Sequence, residues 1–205
     1  MPTVIYHSSP LIYLRTKKAG SHSVKQCLRD YAEREQVTLL DVRSKVGDTV
    51  DDQPYISHMP ASVLSQRIDV WDVATKFTFV RNPWECVVSY YNFLLFHGPK
   101  YGYHNPDNYD LRSLDGFVES LIDMTGTCNF NREVYTINDK IIADLYDVSH
   151  IPQFFIDNFG ISKMYKKNKS PPIDIHVSSR VDKYIYEHYD EEIKLFNYEK
   201  PATLR

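Results

Sequence analysis

Two stretches of this 205-residue chain bring together residue types that hold oxyanions. The first, Thr16–Ser23 (TKKAGSHS), joins lysine, glycine and hydroxyl side chains in one short loop. Where such a loop opens a helix, its N–H groups converge on one spot and the helix dipole favours negative charge there. Gly20 admits close approach of the main chain. Ser21 and Ser23 add hydroxyl donors, and Lys18 adds a full charge. The second stretch, Phe77–Tyr91 (FTFVRNPWECVVSYY), sets Arg81 at the end of an apolar run and Ser89 eight residues further on. Pro83 suits the first turn of a helix, which carries Ser89 about two turns along it. A guanidinium fork with a hydroxyl makes a cradle for a terminal phosphate. Each stretch also has a plainer form. The loop can be an ordinary βα turn with surface lysines, and Arg81 can cap a helix or pair with Glu85. The pattern GxxxxGK[ST] is absent, which argues against an ordinary ATPase loop.

The elements that must position these residues follow from hydrophobic spacing. Leu11–Arg15 reads as a strand, and Val24, Cys27, Leu28 and Tyr31 recur at helical spacing after the loop. Val37–Val42 and Lys76–Val80 are further strands, with a polar connection at Asp48–Pro54 and a short helix at Ser62–Ile68. Val87, Val88, Tyr91, Leu94 and Leu95 form the apolar face of a helix that starts at Pro83. His97–Arg112 reads as a long surface loop, Leu114–Ile122 as a helix and Lys140–Tyr146 as a strand. Ile151–Phe159 is a helix stopped by Gly160, and Lys163–Pro172 a basic loop. Ser178–Tyr189 and Glu191–Phe196 close the chain as helices. Strands alternating with helices predict an α/β fold, a mainly parallel sheet flanked by helices, in a single domain over 1–205. In such sheets ligands bind beyond the carboxyl ends of the strands, so both motifs are expected to face one crevice.

Composition narrows the function. The net charge of −3 leaves no global basic field, which argues against nucleic acid as a partner. The three cysteines, Cys27, Cys86 and Cys128, form no CxxC pair, so neither a disulfide framework nor a zinc site is expected. Buried free thiols fit a reducing compartment. The N-terminus lacks the layout of a signal peptide, and no apolar run reaches the roughly 20 residues of a membrane helix. The expectation is a soluble, cytoplasmic protein with no membrane partner. Nothing in the sequence speaks to an oligomeric state.

LIYLRTKKAGSHSV resembles the 5'-phosphosulfate loop of sulfotransferases that use PAPS (3'-phosphoadenosine 5'-phosphosulfate), whose usual form is close to PKTGSTSL. FTFVRNPWECVVSYYNF is similar to that family's 3'-phosphate segment, built on F-x-R-N-P and V-S-x-Y. KKNKSPPIDIHVSSRVDKYIYEHYDEEIKLFNY resembles the tail of the Golgi-type and bacterial carbohydrate branch. The resemblance implies a P-loop-NTPase-like sheet, the sulfotransferase fold, and transfer of a sulfuryl group from PAPS to an acceptor hydroxyl or amine with release of PAP, without a metal. It implies Lys18 as the lysine on the transferring group, and Ala19, Gly20, Ser21, His22 and Ser23 as the loop around the 5'-phosphosulfate. It implies Arg81 and Ser89 on the 3'-phosphate, His58 (in ISHMP) as general base, and Lys167 and Ser170 as late additions to the nucleotide site. Lys17 stands where the family has proline, so either Lys17 or Lys18 can be the catalytic lysine; Lys18 keeps Gly20, Ser23 and Leu28 in register. The acceptor is expected to be a small molecule or carbohydrate, bordered by His58 and the Tyr-rich Tyr101–Tyr109. Two rivals stay open: a small-molecule kinase on a related scaffold, and a binding protein for PAP or PAPS without catalysis.

Overall fold

A computed structural model describes residues 2–41, 58–101, 109–165 and 175–204. Val42, the Asp48–Pro54 connection, most of the Tyr101–Tyr109 segment, Lys167 and Ser170 lie outside the described residues. The chain divides into two units interleaved in sequence: Met1–Val80 with Asn131–Lys167, and Arg81–Phe130 with Asn168–Arg205.

The first unit is mixed α/β. Its sheet contains β1 (Thr3–Tyr6), β2 (Leu11–Tyr13), β3 (Thr38–Asp41), β4 (Thr75–Val80) and β7 (Asp144–Asp147), in the order β3-β1-β2-β4-β7. β2, β4 and β7 pair in parallel, whereas β1 runs antiparallel to both β2 and β3. Four strands therefore point one way and β1 the other, so the sheet is mostly parallel. The β1 strand and its two antiparallel pairings are absent from the reading of the sequence. Thr3–Tyr6 (TVIY) is a run of strand formers at the lower limit of strand length.

Alternation assigns the two faces of the sheet. Ile5, Tyr13, Phe77 and Phe79 pack with Val24, Cys27 and Leu28 of α1 (Ser21–Glu35). Ile151, Phe155 and Phe159 of α6 (Ile151–Phe159) join the same cluster. The opposite face carries the buried Val4, Ile12, Leu14, Thr78 and Val80. Gly160, at φ 62°, ends α6 as its position predicts. Arg34 of α1 donates to the carbonyls of Phe159 and Gly160 at that helix end. The short α2 (Ala61–Ser65) falls inside the predicted Ser62–Ile68 helix except for its first residue.

Lys140–Tyr146 is not one strand. Lys140–Ile141 forms β6, which pairs antiparallel with β5 (Thr136–Ile137). Between them Asn138 and Asp139 both have positive φ, 50° and 60°, as a two-residue hairpin turn requires. The chain then leaves this hairpin and enters the main sheet as β7, followed by a 3-10 turn at Val148–His150.

The second unit is helical: α3 (Pro83–Tyr101), α4 (Leu114–Thr125), α7 (Ser179–His188) and α8 (Asp190–Phe196). Its core joins Trp84, Val87, Val88 and Tyr91 of α3 to Phe117, Val118 and Leu121 of α4 and to Val181 and Ile185 of α7. α3 continues to Tyr101, so the expected surface loop does not begin at His97. The Phe93 and His97 rings lie one turn apart, tilted, with centroids 5.5 Å apart, an i,i+4 contact that supports the helix where a loop was expected to begin. Among the described residues no helix is long and apolar enough to cross a membrane.

Candidate functional site

The parallel register of β2 and β4 sets the geometry of the loop. Beyond β2 the chain still tracks β4: Leu14 N–H donates to the Phe77 carbonyl at 2.9 Å, and the buried Thr16 hydroxyl donates to the Phe79 carbonyl at 2.6 Å. The loop thus starts from a fixed point at the carboxyl end of the sheet. Two positive φ values follow within three residues, 61° at Lys18 and 72° at Gly20. Positive φ is uncommon for a lysine, and such strain concentrates at functional sites. Gly20 has a second reason to be glycine: a Cβ there would stand 2.9 Å from Ile151 Cδ1. Gly20 is also the N-cap of α1, which opens with no side-chain cap. Ala19 and Ser21 are buried, Lys17, Lys18 and Ser23 half-buried, and Gly20 and His22 exposed.

Around the loop lies a cluster of cations and imidazoles within the same unit. Arg15 Nη2 is 3.3 Å from His22 Nε2. His58 Nδ1 lies 2.8 Å from the Arg15 carbonyl oxygen. A carbonyl only accepts, so Nδ1 carries the hydrogen and Nε2 of the neutral ring is the basic nitrogen. Burial pushes the His58 pKa well below its ordinary value, the positive charges of Arg15 and Lys17 push the same way, and the bond to the Arg15 carbonyl opposes them. The ring is therefore neutral at pH 7, as a proton acceptor must be, though a weaker base than a free histidine.

Ser23 is engaged: its hydroxyl donates to the Tyr165 carbonyl. The Tyr165 hydroxyl in turn donates to Asp30 of α1. A hydroxyl has one hydrogen to give. In this arrangement Ser23 can offer a ligand its oxygen, not its proton.

Arg81 and Ser89 belong to the helical unit. Arg81 is the next residue after β4, and its Nε donates to Glu85 at 2.9 Å, the i,i+4 pairing anticipated as the plainer role of this arginine. Nε–H is one of the five donors of a guanidinium. Ser89 is half-buried on α3. Asn82, between β4 and α3, donates to the Glu199 carbonyl at 2.8 Å.

Cys27, Cys86 and Cys128 are free and buried. Burial raises the thiol of Cys27 to about 11 and that of Cys128 to about 12, so neither is a thiolate nucleophile at neutral pH. Among the described residues no group of His, Cys, Asp and Glu is arranged to hold a metal ion.

Two further residues border the loop, one noted in the sequence only as part of a basic cluster and one not at all. Arg15 stands in the basic Arg15–Lys18 run, and its place just past a strand was a readable signal. Asn131 had none: it binds the main chain of Lys17 from 114 residues away. Compared with known proteins, the chain matches no protein-family model, no curated protein and no solved structure.

Proposed function

We propose that the chain is a PAPS-dependent sulfotransferase on a P-loop-like scaffold, acting on an acceptor hydroxyl or amine. The observation that carries this reading is the Lys17–Ser23 loop. It leaves a parallel strand, takes two positive φ values and opens an α-helix that no side chain caps, with Arg15 and His58 beside it. A strand-end loop with these properties supports an oxyanion site.

In this reading the acceptor oxygen or nitrogen attacks sulfur in line with the bridging oxygen of the donor. The new bond to sulfur forms as the bond to the bridging oxygen breaks, and PAP leaves with the electron pair. His58 Nε2 takes the acceptor's proton. Lys18 and the loop N–H groups neutralise charge growing on the leaving phosphate, the role a metal ion has in phosphoryl transfer. Arg81 and Ser89 are assigned the 3'-phosphate, and the reading requires Arg81 to exchange or share its bond to Glu85. The engagement of Ser23 by Tyr165 and of Arg81 by Glu85 favours one alternative, a protein that binds PAP or PAPS without turning it over.

The test is thermal stabilisation of the full chain by PAP against ATP, ADP and NAD, followed by product detection with PAPS and a panel of sugars, phenols and small amines. A ligand that binds only the folded state at 100 times its Kd adds about 2.7 kcal/mol. PAP-selective stabilisation with sulfated product supports the enzyme. Lys18→Ala then loses turnover and keeps most PAP affinity, whereas Arg81→Ala loses PAP affinity. Loss of turnover in Lys17→Ala alone would move the catalytic role to Lys17. Stabilisation by ATP and not PAP would sink the reading, and PAP binding with no product across the panel would leave the binding protein.

A further inference from the structure

Asn131 is 6% exposed and stands at the N-terminal boundary of α5 (Arg132–Tyr135), where it makes no side-chain cap. Asparagine at such a position normally serves its own helix. Here the amide reaches back to Lys17 instead. Oδ1 accepts the Lys17 N–H at 2.7 Å, and Nδ2 donates to the Lys17 carbonyl at 3.0 Å. One side chain thus meets both main-chain polar groups of one residue, as a partner residue does across an antiparallel strand pair. Asn131 and Lys17 belong to the same unit.

The consequence falls on the following peptide plane. In a trans peptide the C=O and N–H point in opposite directions. Holding the Lys17 carbonyl therefore aims the Lys18 N–H the other way. Lys18 then takes φ 61°, a conformation that persists in a non-glycine residue only when its surroundings enforce it. Other contacts hold the far side of the loop: Ile151 lies against Gly20, and the Tyr165 carbonyl accepts from Ser23. Asn131 grips the near side.

We propose that Asn131 is a positioning residue of the transfer reaction: it sets the Lys17–Lys18 peptide so that the Lys18 N–H and ammonium are aligned for the transferring group. This rests on the sulfuryl-transfer reading above. Without the amide the peptide plane can turn, replacing a donor with a carbonyl oxygen that repels an oxyanion. The loss belongs to alignment. A displacement of about 1 Å costs on the order of 10²-fold in rate. We expect kcat to fall on that scale, PAP affinity to fall much less, and the acceptor KM to stay unchanged.

The experiment compares the full-length parent with Asn131→Ala and Asn131→Asp by amide hydrogen exchange, PAP titration and steady-state kinetics. In the parent the Lys17 N–H exchanges slowly; in Asn131→Ala it exchanges fast. Asn131→Asp keeps an oxygen for the Lys17 N–H but faces the Lys17 carbonyl with a second oxygen. Exchange at Lys17 then stays slow while kcat falls as in the alanine variant. That split separates aiming the peptide from merely holding the loop. If Asn131→Ala fails to fold, Asn131→Asp alone decides. Parental kcat in either folded variant, even with a lowered Tm, overturns the proposal, and equal exchange in the parent and Asn131→Ala overturns the clamp itself. A parent that binds no PAP and makes no sulfated product removes the sulfuryl-transfer reading and this role with it, while the exchange data still decide whether the clamp exists.

Discussion

The imidazole of His58 donates through Nδ1 to the Arg15 carbonyl and lies under the positive charges of Arg15 and Lys17. Burial first, and then these charges, hold its folded pKa below the unfolded value of about 6.5, against the opposing bond to the Arg15 carbonyl. Between the two values the unfolded chain binds more protons, so the contribution to stability is complete above about pH 6.5 and is lost as pH falls toward the folded pKa. Between pH 7 and 5 the Tm of the parent should decline more steeply than that of His58→Gln. Parallel Tm curves would mean that the ring is not held as described. Local chemistry pointed to Lys18 and Gly20 as candidates, because both stand in one short loop of lysine, glycine and hydroxyl residues, whereas His58 was marked only by the family resemblance. The contacts of Arg15 with His22 and His58, and the clamp by Asn131, are pairings that no local sign announced.

At the scale of elements, helix ends were the most readable features, because capping is local chemistry. Ser178 is the N-cap of α7: its hydroxyl oxygen accepts from the Val181 N–H at 3.2 Å, and the hydroxyl donates to Asp115 at 2.5 Å. Replacing an N-cap serine with alanine costs about 1 kcal/mol. Ser178→Ala should lower the denaturation midpoint by an amount of that size with an unchanged slope, read from urea unfolding. A neutral result would mean that the Asp115 contact and the cap carry no net stability. Strand assignments were less secure. Lys140–Tyr146 (KIIADLY) reads as one strand from Ile141, Ile142, Leu145 and Tyr146, yet its two ends serve different sheets because the Asn138–Asp139 turn pairs β6 with β5. Pairing partners of a short strand are chosen by tertiary register, which a run of β-formers does not encode.

For the molecule as a whole, the interleaving of the two units constrains how it can be divided. The sheet unit takes β1 to β4 from the first 80 residues and completes itself with Asn131–Lys167. That later segment brings β7, the strand beside β4, and the Ile151, Phe155 and Phe159 side chains of the core. The helical unit similarly needs Val181, Ile185 and Tyr189 from the C-terminal part. A fragment of residues 1–130 lacks both completions. It should show no cooperative thermal transition by circular dichroism, whereas the full chain should. A sharp transition from the fragment would contradict the division into these units.

The α/β class, most helix boundaries and the burial of Cys27 and Cys86 were legible in the chain, which also marked the loop after β2 as a candidate oxyanion site. These follow from periodicity, caps and residue chemistry within some twenty residues of chain. Only the folded chain shows that β1 reverses the sheet, that Ser23 holds the Tyr165 carbonyl, which of its two readings Arg81 takes, and that Asn131 bonds both main-chain groups of Lys17. The Ser23 and Asn131 contacts join groups 142 and 114 residues apart, and the β1 pairing and the Arg81–Glu85 bond are each one outcome of a competition between alternative partners. Local spacing carries no record of that competition, because it is settled only when the chain closes on itself.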